Sequence, residues 1–220
     1  MGFFEYLGVR PRPEIFYYNT RPEFHPQVLA EKLEELILEE LEKGKTGVVF
    51  LCIGTDRSTG DSLGPLIGHE LLERERNEAR NRNEAWIREG DGEPRKKRMQ
   101  TAVFGTLDRP VHAMNLSQYQ AFLKKTFPDS VMVAVDASVG SQEHVGYVTL
   151  GKGSLKPGLG VCKDLQEVGD IFITGIVGGC KSFDPVMLQS VRLSMVMRMA
   201  DCICDSICLV ENLWEVPAVV

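Results

Sequence analysis

Histidine is scarce in this chain, four in 220 residues, and 25 Lys and Arg stand against 31 Asp and Glu, for a net charge of −6. A chain of that balance lacks the basic face that nucleic acid would need as a main partner. No apolar run is long enough and free enough of charge to read as a membrane span. The start, Met1-Gly2-Phe3-Phe4-Glu5, lacks the cationic residues and apolar core of a secretory signal, so a cytoplasmic setting is expected. There the six cysteines, at 52, 162, 180, 202, 204 and 208, are expected to be reduced thiols. Cys202-x-Cys204-x-x-x-Cys208 resembles ligand spacing, but only 204 and 208 share a helical face and no histidine is near. The three read as small core hydrophobes, and no metal is expected on them.

What is present is ordinary globular material: 43% hydrophobic and 25% charged residues, enough for one domain with a three-layer core. Residues 1–27 combine eight aromatic and aliphatic anchors, from Phe3 to Phe24, with Pro11, Pro13, Pro22 and Pro26. Proline at that density forbids a long helix, so an extended arm is expected. Its aromatics must dock on the domain or on a neighbouring subunit, and a homo-oligomer is among the expectations. Residues 28–220 read as a single α/β domain. Leu29, Leu33, Leu36, Ile37 and Leu41 make one helix face, with Gly44 closing the helix. Val48–Ile53, Ala102–Thr106, Val131–Val135, Tyr147–Leu150 and Asp170–Val177 read as strands, the fourth as an edge strand. Helices are expected after Gly60, through Met114–Leu123, and from Asp184-Pro185 to Ile207, the last apolar over most of its surface. Strands alternating with helices argue a mainly parallel sheet covered on both faces, a three-layer α/β/α arrangement. Residues 74–98 form a charged insert, nine Lys and Arg against six acids, a local +3 that leaves −9 on the remainder. A solvated helix extension followed by a loop is the preferred reading of that insert; Arg95–Arg98 as a basic docking site is the lesser one.

The stretch Gly54-Thr55-Asp56-Arg57-Ser58-Thr59-Gly60-Asp61-Ser62-Leu63-Gly64-Pro65 follows a buried strand and opens a helix, the place where open α/β sheets build their sites. It lacks the Gly-Lys-Ser/Thr close of a phosphate-binding loop. Proline is best tolerated in the first helical turn, where its missing N–H has no partner to lose. With Asp61 as the cap, Pro65 is the fourth helical residue and forfeits a bond; with Ser62 it is the third and forfeits none. The second register leaves Asp61 free to face a cleft. Asp136 closes the apolar strand Val131–Val135 and falls on the same sheet edge. For Asp61 the competing role is an N-cap, and for Asp136 an Asx-turn. Two close carboxylates resist ionising together and share a proton, which suits them to activate water and protonate a leaving amine, or to hold a metal.

At these residues the chain resembles the YyaC-type sporulation proteins of endospore-forming bacteria. The resemblance rests on Cys52–Pro65, Phe104-Gly-Thr-Leu-Asp108, Val135-Asp-Ala137, Leu155-Lys-Pro-Gly158, Lys163-Asp-Leu165 and Gly169–Ile176. That family is similar in turn to the spore germination protease and to hydrogenase maturation peptidases, which implies a phosphorylase-like α/β/α fold. Asp61-Ser-Leu-Gly-Pro65 and Val135-Asp-Ala137 match the two motifs that carry the germination protease's working aspartates. The resemblance thus implies an aspartic-type endopeptidase with Asp61 and Asp136 as catalytic pair, acting on protein or peptide, such as small acid-soluble spore proteins. Asp56, Arg57, Thr106 and Asp108 are expected to bind substrate, and the forespore or mother-cell cytoplasm is the expected location. In the hydrogenase peptidases the equivalent acids bind nickel with a histidine; Ile171–Val177 contains none, and His112 and His144 lie in no matched motif, so no cofactor is expected. Two other readings stay open: a non-catalytic peptide- or ligand-binding module on the same fold, and a metal-dependent maturation-type peptidase.

Overall fold

The computed structural model describes residues 14–21, 23–89, 100–157, 166–179 and 185–213. Most of the expected arm, the Arg95–Arg98 run, the Lys163–Leu165 motif and the expected cap Asp184 lie outside them. Six strands form one sheet: β1 (Ile15–Asn19), β2 (Gly47–Cys52), β3 (Gln100–Phe104), β4 (Ser130–Gly140), β5 (Tyr147–Lys152) and β6 (Ile171–Gly179). Five α-helices accompany it: α1 (Pro26–Leu41), α2 (Leu63–Glu89), α3 (Leu116–Thr126), α4 (Pro185–Ser190) and α5 (Leu193–Leu213). The strand order is β1-β5-β6-β4-β2-β3. β3, β2, β4 and β6 run parallel, while β5 is antiparallel to both β6 and β1.

Alternation along the strands sorts the core into two layers. Val48, Phe50 and Cys52 of β2 join Val131, Val133 and Val135 of β4 and Ile171 and Ile173 of β6 beneath α1, α2 and α5. Val49 and Leu51 turn the other way, with Ala134, onto Leu116 and Leu123 of α3. Every residue of β2 is therefore buried, as a central parallel strand requires. The arrangement is a three-layer α/β/α fold on a mostly parallel sheet.

The structure departs from the expected elements in three places. Ile15–Asn19, inside the expected arm, is an edge strand of the sheet; Phe16 lies under the Lys32 ammonium at 4.5 Å and Tyr18 stands edge-on to Phe24, so these aromatics dock on their own domain. β5 is consequently an interior strand. α2 extends into the charged insert as far as Glu89, as expected there, anchored where Arg74 pairs with Glu70 at 2.8 Å and with Asp205 of α5 at 2.7 Å. The long C-terminal helix is two helices: Ser190 Oγ donates back to the Met187 carbonyl at 2.9 Å, competing with the helical ladder, and a new helix starts at Leu193. The break lets α4 lie against β6 and the 59–61 turn while α5 packs on α1 and α2.

At the opposite, amino-terminal edge of the sheet, the carboxylate of buried Glu40 meets Lys43 at 2.5 Å, Lys45 at 3.8 Å and Lys152 at 3.9 Å. Lys45 also pairs with Asp170 at 2.5 Å, and Asp170 accepts the Met132 N–H at 2.8 Å. This network ties α1 to β4, β5 and β6. Glu40→Ala should lower stability by about 2 kcal/mol, read as a shift in the urea midpoint, because it strips a buried acceptor from three cations. The exposed Lys32–Glu35 pair should contribute less than about 0.5 kcal/mol by the same measure.

Candidate functional site

Asp61 is placed by a loop that closes on itself. After β2, Ile53 donates to Val135 O at 2.7 Å, Gly54 donates to Val111 O at 2.8 Å, and Thr55 donates to Asp61 O at 3.0 Å. Gly54 has φ +140°, and a Cβ on it would stand 2.1 Å from that Asp61 carbonyl oxygen, so only glycine lets the loop turn tightly enough. Thr59–Asp61 then makes one tight turn, with Asp61 N–H bonded to Ser58 O at 3.0 Å. α2 starts at Leu63, and the Ser62 carbonyl takes the Leu66 N–H at 3.0 Å. Pro65 is thus the third helical residue and Asp61 precedes the helix. Ser62 Oγ does not cap; it donates to Thr59 O at 2.7 Å. Gly64 and Gly68 let the first turns of α2 come down close on Ile53 and Gly105.

Burial pushes the Asp61 carboxyl up to about 6, with the Thr55 backbone pulling the other way. Ser58 Oγ, in the same loop, is buried with no hydrogen-bond partner, a state that an ordered water or a polar substrate atom would relieve.

Asp136 is buried, and it does not end its strand. β4 runs on to Gly140 because β6 keeps pairing with it: Asp136 opposes Thr174, Ala137 opposes Gly175, and a bulge follows Ser138. On the other flank β2 has already ended, its last pair being Cys52 with Val135. Backbone groups alternate sides along a strand, so Ala137 N–H points past the end of β2. Asp136 Oδ1 takes that N–H at 2.8 Å. Asp61 and Asp136 thus reach the same carboxyl edge from neighbouring parallel strands, and the 59–61 turn contacts β4.

The remaining expected residues divide by burial. Asp56, Arg57 and Asp108 are exposed on loops at this edge, held side by side by the Gly54–Val111 bond. Thr106 is buried, and its Oγ1 accepts the Arg109 N–H at 3.2 Å, so its part is in shaping the 106–109 turn. Among the described residues no three His, Cys, Asp or Glu side chains converge as a metal ion would require. His112 and His144 are held apart from each other's surroundings: His112 Nδ1 accepts the Met114 N–H at 3.2 Å, and His144 lies between Tyr17 and Tyr147 with Nδ1 3.0 Å from Ser141 Oγ. Cys204 and Cys52 are buried thiols whose burial raises their pKa, Cys52 to about 12. No helix among the described residues is long and apolar enough to cross a membrane.

Three hydroxyls near Asp136 carry no sequence signal. Thr149 Oγ1 and Thr174 Oγ1 are 2.6 Å apart, and Ser138 Oγ is 3.0 Å from Thr174 Oγ1 and 3.4 Å from Gly175 O. Only the register of β4, β6 and β5 brings them together.

Over residues 23–80 and 92–206 the chain matches the family described as Protein of unknown function (DUF1256). It is similar to the protein called Uncharacterized protein YyaC of Bacillus subtilis (strain 168), 38% identical over 188 residues that take in 83% of this chain and 79% of that one. The matched blocks contain β2, β4, β6 and the loops that bring Asp61 and Asp136 to one edge, and the chain belongs to the DUF1256 family.

Proposed function

We propose that the chain is a sporulation-associated endopeptidase that hydrolyses peptide bonds with Asp61 and Asp136 as an acid–base pair. The observation that carries this reading is the Asp61 carboxyl, held outside a helix start and raised to about 6 by burial. An acid–base group is most effective when its pKa lies near the working pH. The likeness of Asp61–Pro65 and Val135–Ala137 to the germination protease motifs supports peptide bonds as the substrate and spore proteins as its source.

In this mechanism the pair holds one proton. The ionised member takes a proton from water as the water oxygen attacks the peptide carbonyl carbon, and the protonated member gives its proton to the leaving nitrogen as the C–N bond breaks. The pair ends with one proton, on the other carboxyl. First-turn N–H groups of α2 would face the developing oxyanion. Asp56, Arg57 and Asp108 would grip the flanking peptide.

Incubation with small acid-soluble spore proteins tests this directly. The unmutated chain should cleave them, and Asp136→Asn should slow cleavage by about a hundredfold or more. Undiminished cleavage by both Asp136→Asn and Asp61→Asn would remove the pair from the mechanism, and no cleavage by the unmutated chain would withdraw peptide hydrolysis.

A further inference from the structure

Asp136 and Thr174 are partners across β4 and β6, and Thr174 and Thr149 are partners across β6 and β5. Adjacent strands lie about 4.8 Å apart, so partnered side chains on one face are neighbours. Ser138 is two residues beyond Asp136 and shares its face, and its contact with Thr174 at 3.0 Å puts the Thr174 hydroxyl on that face as well. Thr149 and Thr174 are both buried, in strands otherwise filled by Val148, Leu150, Ile171 and Ile173. Threonine pairs across strands are ordinary sheet stabilisers. A third hydroxyl in contact, on the row of a buried carboxylate, is not required for that.

We propose that Thr174 positions the Asp136 carboxyl, and that Ser138 and Thr149 enable it to do so in both protonation states. A hydroxyl has one proton to give and two lone pairs to accept with. When Asp136 is ionised, Thr174 donates to it and accepts from Thr149 and Ser138. When Asp136 is protonated, its O–H donates to Thr174, which still accepts from Thr149 and turns its own proton to Ser138. Ser138 then donates to the Gly175 carbonyl, within reach at 3.4 Å. Every proton has an acceptor in each state, and the change between them needs only hydroxyl rotations. A group that must alternate between acid and base needs this kind of support.

The inference rests on Asp136 belonging to the proposed pair, but its test does not use cleavage. In the full-length chain with carbon-13-labelled aspartate, the Asp136 carboxyl resonance is assigned by its loss in Asp136→Asn and then titrated. Thr174→Val removes the donor to the charged form and should raise the Asp136 midpoint by about one pH unit. Thr174→Ser should restore it to within about 0.3 unit, and Thr149→Val should shift it the same way by less. Asp61, Asp56, Arg57, Asp108 and Arg109 on neighbouring loops, His144 before β5, Tyr17 of β1 and Tyr147 of β5 are unchanged in all these variants, so differences read the hydroxyls alone. Thermal unfolding of each variant separates this from a packing role, which would lower the melting temperature of Thr174→Ser, short of a methyl group, and leave the titration of the isosteric Thr174→Val unmoved. A Thr174→Val titration like that of the unmutated chain, or a Thr174→Ser titration like that of Thr174→Val, overturns the proposal. If Thr174→Val does not fold, Thr149→Val decides alone: no shift there also overturns it. Undiminished cleavage by Asp136→Asn would instead remove the catalytic reading and leave the titration result standing.

Discussion

Asp61→Asn is expected to lose peptide hydrolysis and gain stability in the same molecule. The loss should be about a hundredfold to ten-thousandfold in rate, the usual range for removal of an acid–base group. The gain follows from the shift of the Asp61 pKa from 3.8 to about 6 by burial. Because the folded state holds this proton more tightly than the unfolded one, stability is greatest below about pH 3.8 and declines as pH rises towards 6. Above 6 the full penalty of a charged, half-buried carboxylate remains. Asparagine carries no charge and avoids it, so the variant should exceed the unmutated protein by about 1–3 kcal/mol at neutral pH. The two should converge as pH falls below 3.8, where Asp61 becomes protonated in both folded and unfolded chains. Urea unfolding at pH 4, 5, 6 and 7 reads the difference, and equal stabilities at pH 7 would contradict it. The rate itself should fall about tenfold per unit below pH 6 if the ionised form of Asp61 is the one that reacts.

Gly105→Ala should be among the most damaging single-atom additions in the chain. Gly105 has φ +88°, and a Cβ there would stand 1.8 Å from the Cys52 carbonyl oxygen. The Gly105 carbonyl in turn supports α2, where a Cβ on Gly68 would come within 2.1 Å of it. The strand end of β2, the turn after β3 and the first turns of α2 are therefore stacked without room for a methyl group. The substitution should cost about 4 kcal/mol or more, backbone strain and overpacking together. Gly44→Ala is the matched control: φ is +98° and nothing lies within 4 Å, so only the backbone contribution of about 1 kcal/mol remains. Urea midpoints for the two variants isolate the steric part, and similar losses would show that Gly105 is not crowded.

The parts of this molecule that could be read from sequence are those where one residue type answers one local demand. Val48–Ile53 is recognisable because a central strand must be apolar on both faces. The start of α2 is readable because Pro65 cannot donate, which selects Ser62 over Asp61 as the residue preceding the helix. Where a distant strand supplies the reason, the signal disappears. Asp136-Ala-Ser-Val-Gly140 looks like a loop, yet β6 holds it as strand. Ile15–Asn19 sits among prolines that forbid a helix, but an edge strand of five residues fits between them once β5 is beside it. Ser138, Thr149 and Thr174 are separated by 36 and 25 positions along the two links of their hydroxyl chain, and no local pattern distinguishes them from other strand residues.

Helices far apart in the sequence meet in α1 and α5. Pro26, at the first residue of α1, gives its carbonyl to Ser206 Oγ of α5 at 3.0 Å across 180 positions, and α1 lies along α5. The apolar stripe of α1, Leu29, Leu33 and Ile37, packs on the sheet and on α5, so during synthesis it is only partly covered until α5 has been made. Glu31, Glu34, Glu35 and Glu39 on the same helix keep that waiting segment charged and soluble. This layer therefore closes only when α5 is present, and chains terminated before α5 will present part of that stripe to chaperones and proteases.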